Sequence, residues 1–224
     1  MSWLFNFKKK QNMPTSGIGK LPNSNTPIRE VRFVVLDTET TGLDRKKDQI
    51  LSVGALGIQD YQIKVGPCLD IEFPYHQITQ RDSIAIHGIV PSNESLTKMV
   101  RPNINPIVDF LDTSIIVGHH IRFDIEMLNR MFLENNLRQL QNKYLDTAAL
   151  ARRLDQPRHN NPGRAISLDA LCQYYNIKMH ERHTALGDAY LTALVFLHQL
   201  KALERKGVIK YKDLWRKGPK NYSI

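Results

Sequence analysis

The chain has 224 residues, of which 42% are hydrophobic and 24% are charged, and its formal net charge is +9. This length suits one globular domain with terminal extensions, large enough to bury a core without cross-links. Two cysteines without a Cys-x-x-Cys pair argue against a disulfide framework and a cysteine zinc site, and they favour a reducing cytoplasm. The apolar runs are far shorter than the roughly 18 residues that a membrane span needs.

The basic charge is concentrated at the two ends of the chain. Residues 1–30 carry a net charge of +4 and residues 201–224 one of +6, which leaves −1 for everything between them. We therefore predict a flexible N-terminal arm over 1–30, a folded domain over 31–206 and a basic C-terminal tail over 207–224. Such tails can bind nucleic acid or a protein partner, although solvated basic termini without a ligand are equally common.

The first half of the folded region predicts three β-strands. An apolar run at 31–36 predicts the first, and the run from Ile50 to Ile58 predicts the second. Gly54 and Gly57 within the second strand indicate a close approach or a bulge. A third strand is predicted within 67–73, and the short connections favour an antiparallel meander.

The second half alternates helices with short strands. Apolar residues recur at spacings of three and four in its longer segments, as in helices with one buried face. A helix between two strands implies a parallel crossover, so the sheet should be mixed. The predicted elements are a helix over 104–111, a strand over 114–118, a helix opened by Asp124, a strand over 143–146, a short helix after Ser167 and a long helix over 184–206.

Two carboxylates follow the first predicted strand. Asp37 and Glu39 are two residues apart, and side chains in a strand alternate between faces, so both project to one side. Adjacent like charges repel unless a cation neutralises them, and Mg²⁺ and Mn²⁺ prefer oxygen ligands. A lone Asp-x-Glu is more often a solvated acidic turn, so the interpretation depends on the downstream segments.

Three downstream segments complete a recognisable series. Residues 117–124 pass from a strand end into a helix and finish on Asp124. A Tyr-Leu-Asp-Thr segment occupies 144–147, and His183 lies five residues before Asp188. These segments, together with the Asp-x-Glu pair, resemble the three exonuclease motifs of the DEDDh 3′–5′ exonuclease superfamily. They are most similar to those of the epsilon proofreading subunits of bacterial DNA polymerase III, over roughly residues 31–200.

The resemblance implies an α/β domain with the ribonuclease H-like fold, a five-stranded mixed sheet flanked by helices. It also implies a metal-dependent 3′–5′ exonuclease that hydrolyses phosphodiester bonds at single-stranded 3′ ends, DNA rather than RNA, and releases nucleoside 5′-monophosphates. An RNA-trimming enzyme of the oligoribonuclease or ribonuclease T type is one alternative, because no residue here reveals how the 2′-hydroxyl is treated. A non-catalytic, polymerase-accessory nucleic-acid-binding module is another. A DNA polymerase subunit or another protein, bound through the tails, is a candidate partner.

The same resemblance assigns roles to the acids and to one histidine. Asp37 would bridge two Mg²⁺ or Mn²⁺ ions, Glu39 and Asp188 would complete the shell of one ion, and Asp124 would support the other. His183 would be the general base, since an imidazole ordinarily titrates at about pH 6.5 and can accept a proton near neutrality.

Further positions are assigned to substrate contact or to support. The substrate-binding residues implied by the resemblance are Thr38, Thr40, Thr41, Leu43, His87 and Phe123. Phe123 is equally compatible with a place in the core, and His87 with a structural turn. His119 and His120 either contact substrate or shape the strand end, and Asp146 is expected to cap a helix or to support the site.

Overall fold

The computed structural model describes residues 22–73, 104–155, 165–180 and 182–215. In this part of the chain there are five β-strands and five α-helices, with a short 3-10 helix near each end. Their bounds, in chain order, are 3-10 helix Ile28–Glu30, β1 Phe33–Thr40, β2 Ile50–Gln59, β3 Gln62–Glu72, α1 Asn105–Leu111, β4 Ile115–Gly118, α2 Arg122–Glu134, β5 Tyr144–Asp146, α3 Thr147–Leu154, α4 Leu168–Tyr174, α5 Ala185–Arg205 and 3-10 helix Tyr211–Trp215.

The five strands form one mixed sheet in the order β3-β2-β1-β4-β5. The pairs β1–β2 and β2–β3 are antiparallel, whereas β1–β4 and β4–β5 are parallel. The helices between the parallel strands are the crossovers that such pairing requires. The predicted five-stranded mixed sheet, with its antiparallel meander, is therefore confirmed.

Strand β1 is the centre of the sheet because its apolar residues are buried on both faces. Phe33 and Val35 pack into one hydrophobic cluster with helix α5, where the rings of Phe33 and Phe196 meet edge to face with centroids 5.1 Å apart. Val34 and Leu36, which alternate with them, pack into a second cluster on the opposite face of the sheet. That second cluster contains the buried residues of α1 and α2, so the sheet lies between two helical layers.

Two strands are longer than the sequence predicts. β1 was expected to end at residue 36 but continues to Thr40, so its carboxylates lie within a strand that is paired with β2. β3 begins at Gln62 rather than near residue 67, because Asp60 and Tyr61 both adopt positive φ and form a tight hairpin turn without glycine. The pairing of β2 with β3 shifts register next to Gly57, which is the bulge that this glycine indicated.

The packed body extends past both predicted domain boundaries. Ile28, in the predicted arm, is buried in the core cluster that also holds Phe33. Val208, Tyr211 and Leu214, in the predicted tail, are buried in the same cluster, and Pro27 forms a β-bridge with Lys210. These apolar side chains attach both flanking segments to the core. The sequence analysis did not predict this packing, because it relied on the basic charge of the C-terminal segment. No helix among the described residues has the length and apolarity that crossing a membrane requires.

Candidate active site

Three carboxylates from two elements meet at one side of the sheet. Oxygens of Asp37 and Glu39 on β1 and of Asp188 on α5 all lie within 4.8 Å of one another. The alternation along β1 accounts for this, because Asp37 and Glu39 share the face of Phe33 and Val35, against which α5 packs. The predicted common face of the two strand carboxylates is confirmed, and the helix adds a third acid to it.

A glycine allows the helix to approach this closely. Gly54 on β2 is paired with Asp37, and a Cβ at Gly54 would lie 2.2 Å from the backbone carbon of Ala185 and from the nitrogen of Leu186. No real side chain tolerates that distance, so the first turn of α5 rests directly on the glycine backbone. Asp188, in that same turn, is thereby held beside Asp37. This is the close approach that Gly54 indicated in the sequence.

The fourth predicted acid, Asp124, is anchored from β1. Its Oδ1 accepts hydrogen bonds from the Thr38 hydroxyl at 2.6 Å and from the Thr38 backbone nitrogen at 3.1 Å. Thr38 and Asp124 are both buried, and Thr38 lies between Asp37 and Glu39 on the opposite face of the strand. The sequence resemblance assigned Thr38 to substrate contact. In this structure the Thr38 hydroxyl instead donates a hydrogen bond to Asp124.

The carboxylates strongly disfavour charge in one another's presence. Burial, followed by the charges of Asp124 and Asp188, raises the pKa of Asp37 well above its usual range. Burial, followed by the charge of Asp188, raises the pKa of Glu39 to about 7. Burial also raises the pKa of Asp124 to about 7, against the opposing hydrogen bonds from Thr38. At neutral pH these carboxyl groups are therefore less ionised than ordinary aspartate and glutamate side chains, unless a cation is bound beside them.

This donor set fits a hard divalent cation. The three clustered ligand atoms are all carboxylate oxygens, with no thiolate and no imidazole among them. Mg²⁺ and Mn²⁺ prefer such ligands, whereas structural zinc sites use cysteine and histidine. Burial first, and the neighbouring acids second, raise the pKa values of Asp37 and Glu39, and a bound cation would offset both effects.

One cation of the chain itself reaches the cluster. The Nε of Arg182 lies 2.8 Å from Oδ1 of Asp169 on α4, and its Nη1 contacts Oδ1 of Asp188. The charge of Arg182 lowers the pKa values of Asp37 and Glu39, in opposition to the larger effect of burial. The sequence analysis missed Arg182. Its position directly before His183 was a signal that a positive charge lies near the predicted site.

His183 lies on the turn that leads into α5. Its side chain is exposed and its backbone has a φ of 66°, the left-handed region that few residues other than glycine adopt. The next residue, Thr184, caps the helix by accepting a hydrogen bond from the Gly187 nitrogen at 3.1 Å. The predicted base thus sits just outside a fixed helix start, on the turn that also carries Arg182.

The turn after β1 is organised around Asp48, which the sequence analysis did not single out. The Thr41 hydroxyl donates to Asp48 at 2.8 Å, and the Asp44 nitrogen donates to the other carboxylate oxygen at 2.7 Å. The Thr40 hydroxyl donates to the Gly42 carbonyl at 2.8 Å. Leu43, in contrast, is 84% exposed at the tip of the turn, so its side chain is available to a ligand.

The base of this turn is attached to α2. Phe123 is half-buried against the second core cluster, and the Arg45 guanidinium lies 5.8 Å from its ring centroid. Arg130 donates from Nη1 to the Arg45 carbonyl at 2.6 Å and from Nη2 to the Asp48 carbonyl. Phe123 is therefore packed partly against the core and partly against Arg45, so its core role is confirmed in part and its contact with substrate stays a prediction.

The histidine pair lies at the end of β4. His119 shares a 2.9 Å hydrogen bond through Nδ1 with the Thr147 hydroxyl, and burial lowers the pKa of His119 to about 4. His120 is exposed with a φ of 57°, and its backbone nitrogen donates to Asp146 at 3.3 Å. Asp146 also accepts from the Ala148 and Ala149 nitrogens, so the predicted helix cap is confirmed. His87 lies outside the described residues.

The sequence matches one exonuclease family over most of its folded part. Residues 34–196 fit the sequence model of the family named RNase_T, described as "Exonuclease". The chain belongs to this exonuclease family. The motifs that resembled those of DEDDh exonucleases all lie within the matched range, so the predicted family is confirmed.

Similar proteins include bacterial DNA polymerase III of the PolC type and an epsilon-like subunit of DNA polymerase III. The chain is 34% identical over 190 residues to the PolC-type DNA polymerase III of Thermotoga petrophila, covering 85% of this chain and 13% of that polymerase. It is 31% identical over 196 residues to a DNA polymerase III subunit epsilon-like protein of Rhodobacter capsulatus, covering 86% of this chain and 27% of the relative. The chain thus spans less than a third of the length of these proteins.

Among solved structures, the fold is similar to that of exonuclease I. The Escherichia coli enzyme in complex with a dT13 oligonucleotide superposes with a TM-score of 0.64 at 20% identity, covering 80% of this chain and 43% of that one. A zinc-bound complex of the same enzyme with single-stranded DNA superposes with a TM-score of 0.62 at 20% identity, covering 79% and 42%. The exonuclease domain therefore has the ribonuclease H-like fold that was predicted.

Proposed function

We propose that this chain is a 3′–5′ exonuclease of the DEDDh type, which removes nucleoside 5′-monophosphates from single-stranded or frayed 3′ ends of DNA. The observation that carries the proposal is the meeting of Asp37 and Glu39 from β1 with Asp188 from α5, all within 4.8 Å. Asp124, whose charge raises the pKa of Asp37, supplies the fourth acid from α2. Each of these positions had been assigned from the sequence motifs alone.

The acids would hold two divalent cations, Mg²⁺ or Mn²⁺. Asp37 would contribute to both ions, Glu39 and Asp188 would hold one, and Asp124 would support the other. When bound, such a pair neutralises charge at the scissile phosphate and favours ionisation of the attacking water. The Thr38 hydroxyl keeps the Asp124 carboxylate oriented for this role, because it donates to one of its oxygens.

His183 acts as the general base in this proposal. A ring nitrogen of the imidazole accepts the proton of the attacking water, and the exposed turn gives the side chain room to reach it. The water oxygen bonds to the phosphorus and the bond from phosphorus to the 3′-oxygen breaks, which leaves a 5′-phosphate on the released nucleoside. The 3′-oxygen takes a proton from solvent and becomes the new 3′-hydroxyl of the shortened strand. His183 returns its proton to solvent before the next cycle.

The terminal nucleotide would lie against the turn after β1. Leu43, which is 84% exposed, would wedge next to the last base, and the partly exposed Phe123 would stack on it. The backbone around Thr40 and Thr41 would lie near the sugar and phosphate, and the sequence resemblance assigns His87 to the surroundings of the same nucleotide. Because the hydroxyls of Thr40 and Thr41 already have partners, their contribution is to shape the turn.

The relatives favour DNA as substrate and a polymerase as partner. PolC-type polymerase and an epsilon-like subunit of DNA polymerase III are among the similar proteins, and a similar fold occurs in exonuclease I bound to dT13. We infer that this chain edits or trims DNA ends in association with a polymerase, and that segments of its basic ends contribute to binding.

The experiment is degradation of 5′-labelled single-stranded DNA and RNA oligonucleotides of matched sequence, with Mg²⁺, Mn²⁺ or EDTA. We expect a ladder of DNA products shortened from the 3′ end, release of 5′-mononucleotides, and no products in EDTA. Faster degradation of the RNA would replace the DNA assignment by an RNA-trimming one. Binding of either strand without any cleavage would make the chain an accessory module instead.

A further inference from the structure

Arg182 is placed between the candidate site and a neighbouring helix. One side of its guanidinium pairs with Asp169 in the first turn of α4 at 2.8 Å, and the other contacts Asp188 in the first turn of α5. The side chains of Arg182 and Asp188 are 23% and 12% exposed, whereas that of Asp169 is 51% exposed. The charges of Arg182 and Asp188 are therefore screened less by water than charges on the open surface.

The contact involves a carboxylate group that a metal would also require. Asp188 belongs to the three-carboxylate cluster, and its Oδ1 is in contact with Nη1 of Arg182. Two cations that share one carboxylate repel each other, and this repulsion is large where water is partly excluded. An ion bound by Asp37, Glu39 and Asp188 therefore opposes the position that Arg182 holds in this structure.

The residue that follows is the candidate base. His183 has a φ of 66°, which is unfavourable for a residue with a Cβ, and Thr184 immediately after it is fixed as the cap of α5. The strained residue thus lies between two restraints, the Arg182 ion pair on one side and the helix cap on the other. Releasing the ion pair removes one restraint and lets the turn adopt another conformation.

We propose that Arg182 is an internal counter-cation that holds Asp188 in the metal-free protein and gives it up when metal binds, so that metal occupancy repositions His183. The inference rests on the proposed function, since it concerns the same metal ligands and the same base. It makes Arg182 a positioning residue, which acts through Asp188 and through the turn that it shares with His183. The arrangement would keep the base away from the cluster until the site is loaded.

The first test is metal binding in the absence of nucleic acid. Arg182→Gln removes the charge but keeps a side chain that can hydrogen-bond, and Arg182→Lys keeps the charge. Arg205→Gln is the control, because it removes an exposed arginine from the C-terminal end of α5. Calorimetric titration with Mn²⁺ should show about tenfold tighter binding for Arg182→Gln only. Weaker binding by that variant would overturn the proposal, because Arg182 would then orient Asp188 in the loaded site. Unchanged binding would overturn it too.

The second test follows the imidazole of His183 by NMR, with its resonance identified by comparison with His183→Asn. In the wild type, Mg²⁺ should shift this resonance, whereas in Arg182→Gln it should already lie near the shifted position before Mg²⁺ is added. A His183 resonance that responds to Mg²⁺ equally in both proteins would contradict the coupling. Neither test depends on catalysis, so a chain that binds Mg²⁺ with the predicted coupling but cleaves nothing would refute only the proposed function.

Discussion

Gly54 on β2 is paired directly with Asp37 on β1, and the backbone of α5 fills the space in which a Gly54 side chain would lie. This contact determines how near Asp188 comes to the strand carboxylates. The carboxylate cluster therefore depends on a residue that has no side chain and carries out no chemistry.

We expect Gly54→Ala to displace the first turn of α5, since the new Cβ would lie 2.2 Å from backbone atoms that cannot rotate away. Nuclease activity should fall by about 100-fold or more, because a displacement of about 1 Å in a catalytic group has that effect. The free energy of unfolding should fall by about 1–3 kcal/mol. The matched control is Gly57→Ala, where the nearest atom to the new Cβ is 3.8 Å away. Equal activity in the two variants would contradict the role of Gly54.

The metal-free protein should lose stability as the pH rises from 5 to 8. Glu39 and Asp124 have pKa values of about 7 in the folded chain, above the value of about 4 expected when unfolded. Their contribution is fully present below the unfolded value and is lost as the pH rises through the folded one. Thermal unfolding in EDTA should therefore show that the free energy of unfolding decreases by on the order of 2 kcal/mol between pH 5 and pH 8.

The control for this pH dependence is Glu39→Gln, which removes one of the titrating groups and should flatten the decrease. Mn²⁺ should restore the stability of the wild type at pH 8, because only the folded state assembles the site. A wild-type protein that became more stable between pH 5 and pH 8 in EDTA would be inconsistent with the raised pKa values.

Removing the Thr38 hydroxyl should weaken metal binding without unfolding the chain. Thr38→Val keeps the shape of the side chain but leaves Asp124 with only the backbone donor at 3.1 Å. A hydrogen bond to a charged group contributes about 1.5–3 kcal/mol, so we expect at least about a tenfold loss in activity at limiting Mg²⁺. Thr38→Ser retains the hydroxyl and should recover most of the loss. If the valine and serine variants were equally active, Thr38 would not orient Asp124.

His183→Ala should lower the turnover number by about 10² to 10⁴-fold, the usual contribution of a general base. The Michaelis constant should change little, and metal affinity should survive because the clustered ligands are all carboxylates. The wild-type rate should rise with pH over the range in which an imidazole ionises, and the variant should lose that limb. A variant that kept both the wild-type rate and its rise with pH would exclude His183 as the base. A variant that no longer bound metal would show that His183 is a metal ligand.

The sequence predicted most of the fold because the fold depends on local patterns. The apolar run at 31–36 identified a buried strand, whose side chains alternate between its two faces, and the apolar spacing in 185–203 identified the helix that covers it. The common face of Asp37 and Glu39 follows from the same alternation. The turn at Asp60 and Tyr61 was missed, because a bulky residue such as Tyr61 is rare at positive φ where a hairpin turn usually has glycine.

What the sequence did not predict are the contacts between distant segments. Nothing local indicates that the Thr38 hydroxyl meets Asp124, 86 positions away, or that Arg182 meets Asp169 and Asp188. The basic composition after residue 206 favoured a tail, whereas three apolar residues there complete the core. The pattern of charges along a sequence indicates which segments are exposed to solvent. It does not indicate which distant residue a given side chain will contact.

The most direct test of the carboxylate site is Asp37→Asn, compared with Glu204→Gln, which removes an exposed acid near the other end of α5. The measurement is the release of 5′-mononucleotides from a single-stranded DNA oligonucleotide in Mn²⁺, together with thermal unfolding in EDTA. We predict that Asp37→Asn releases no nucleotide above the EDTA background while unfolding at the same or a higher temperature, since one repelling charge is gone. Glu204→Gln should match the wild type. Nucleotide release by Asp37→Asn within a few-fold of the wild-type rate would contradict the two-metal carboxylate site.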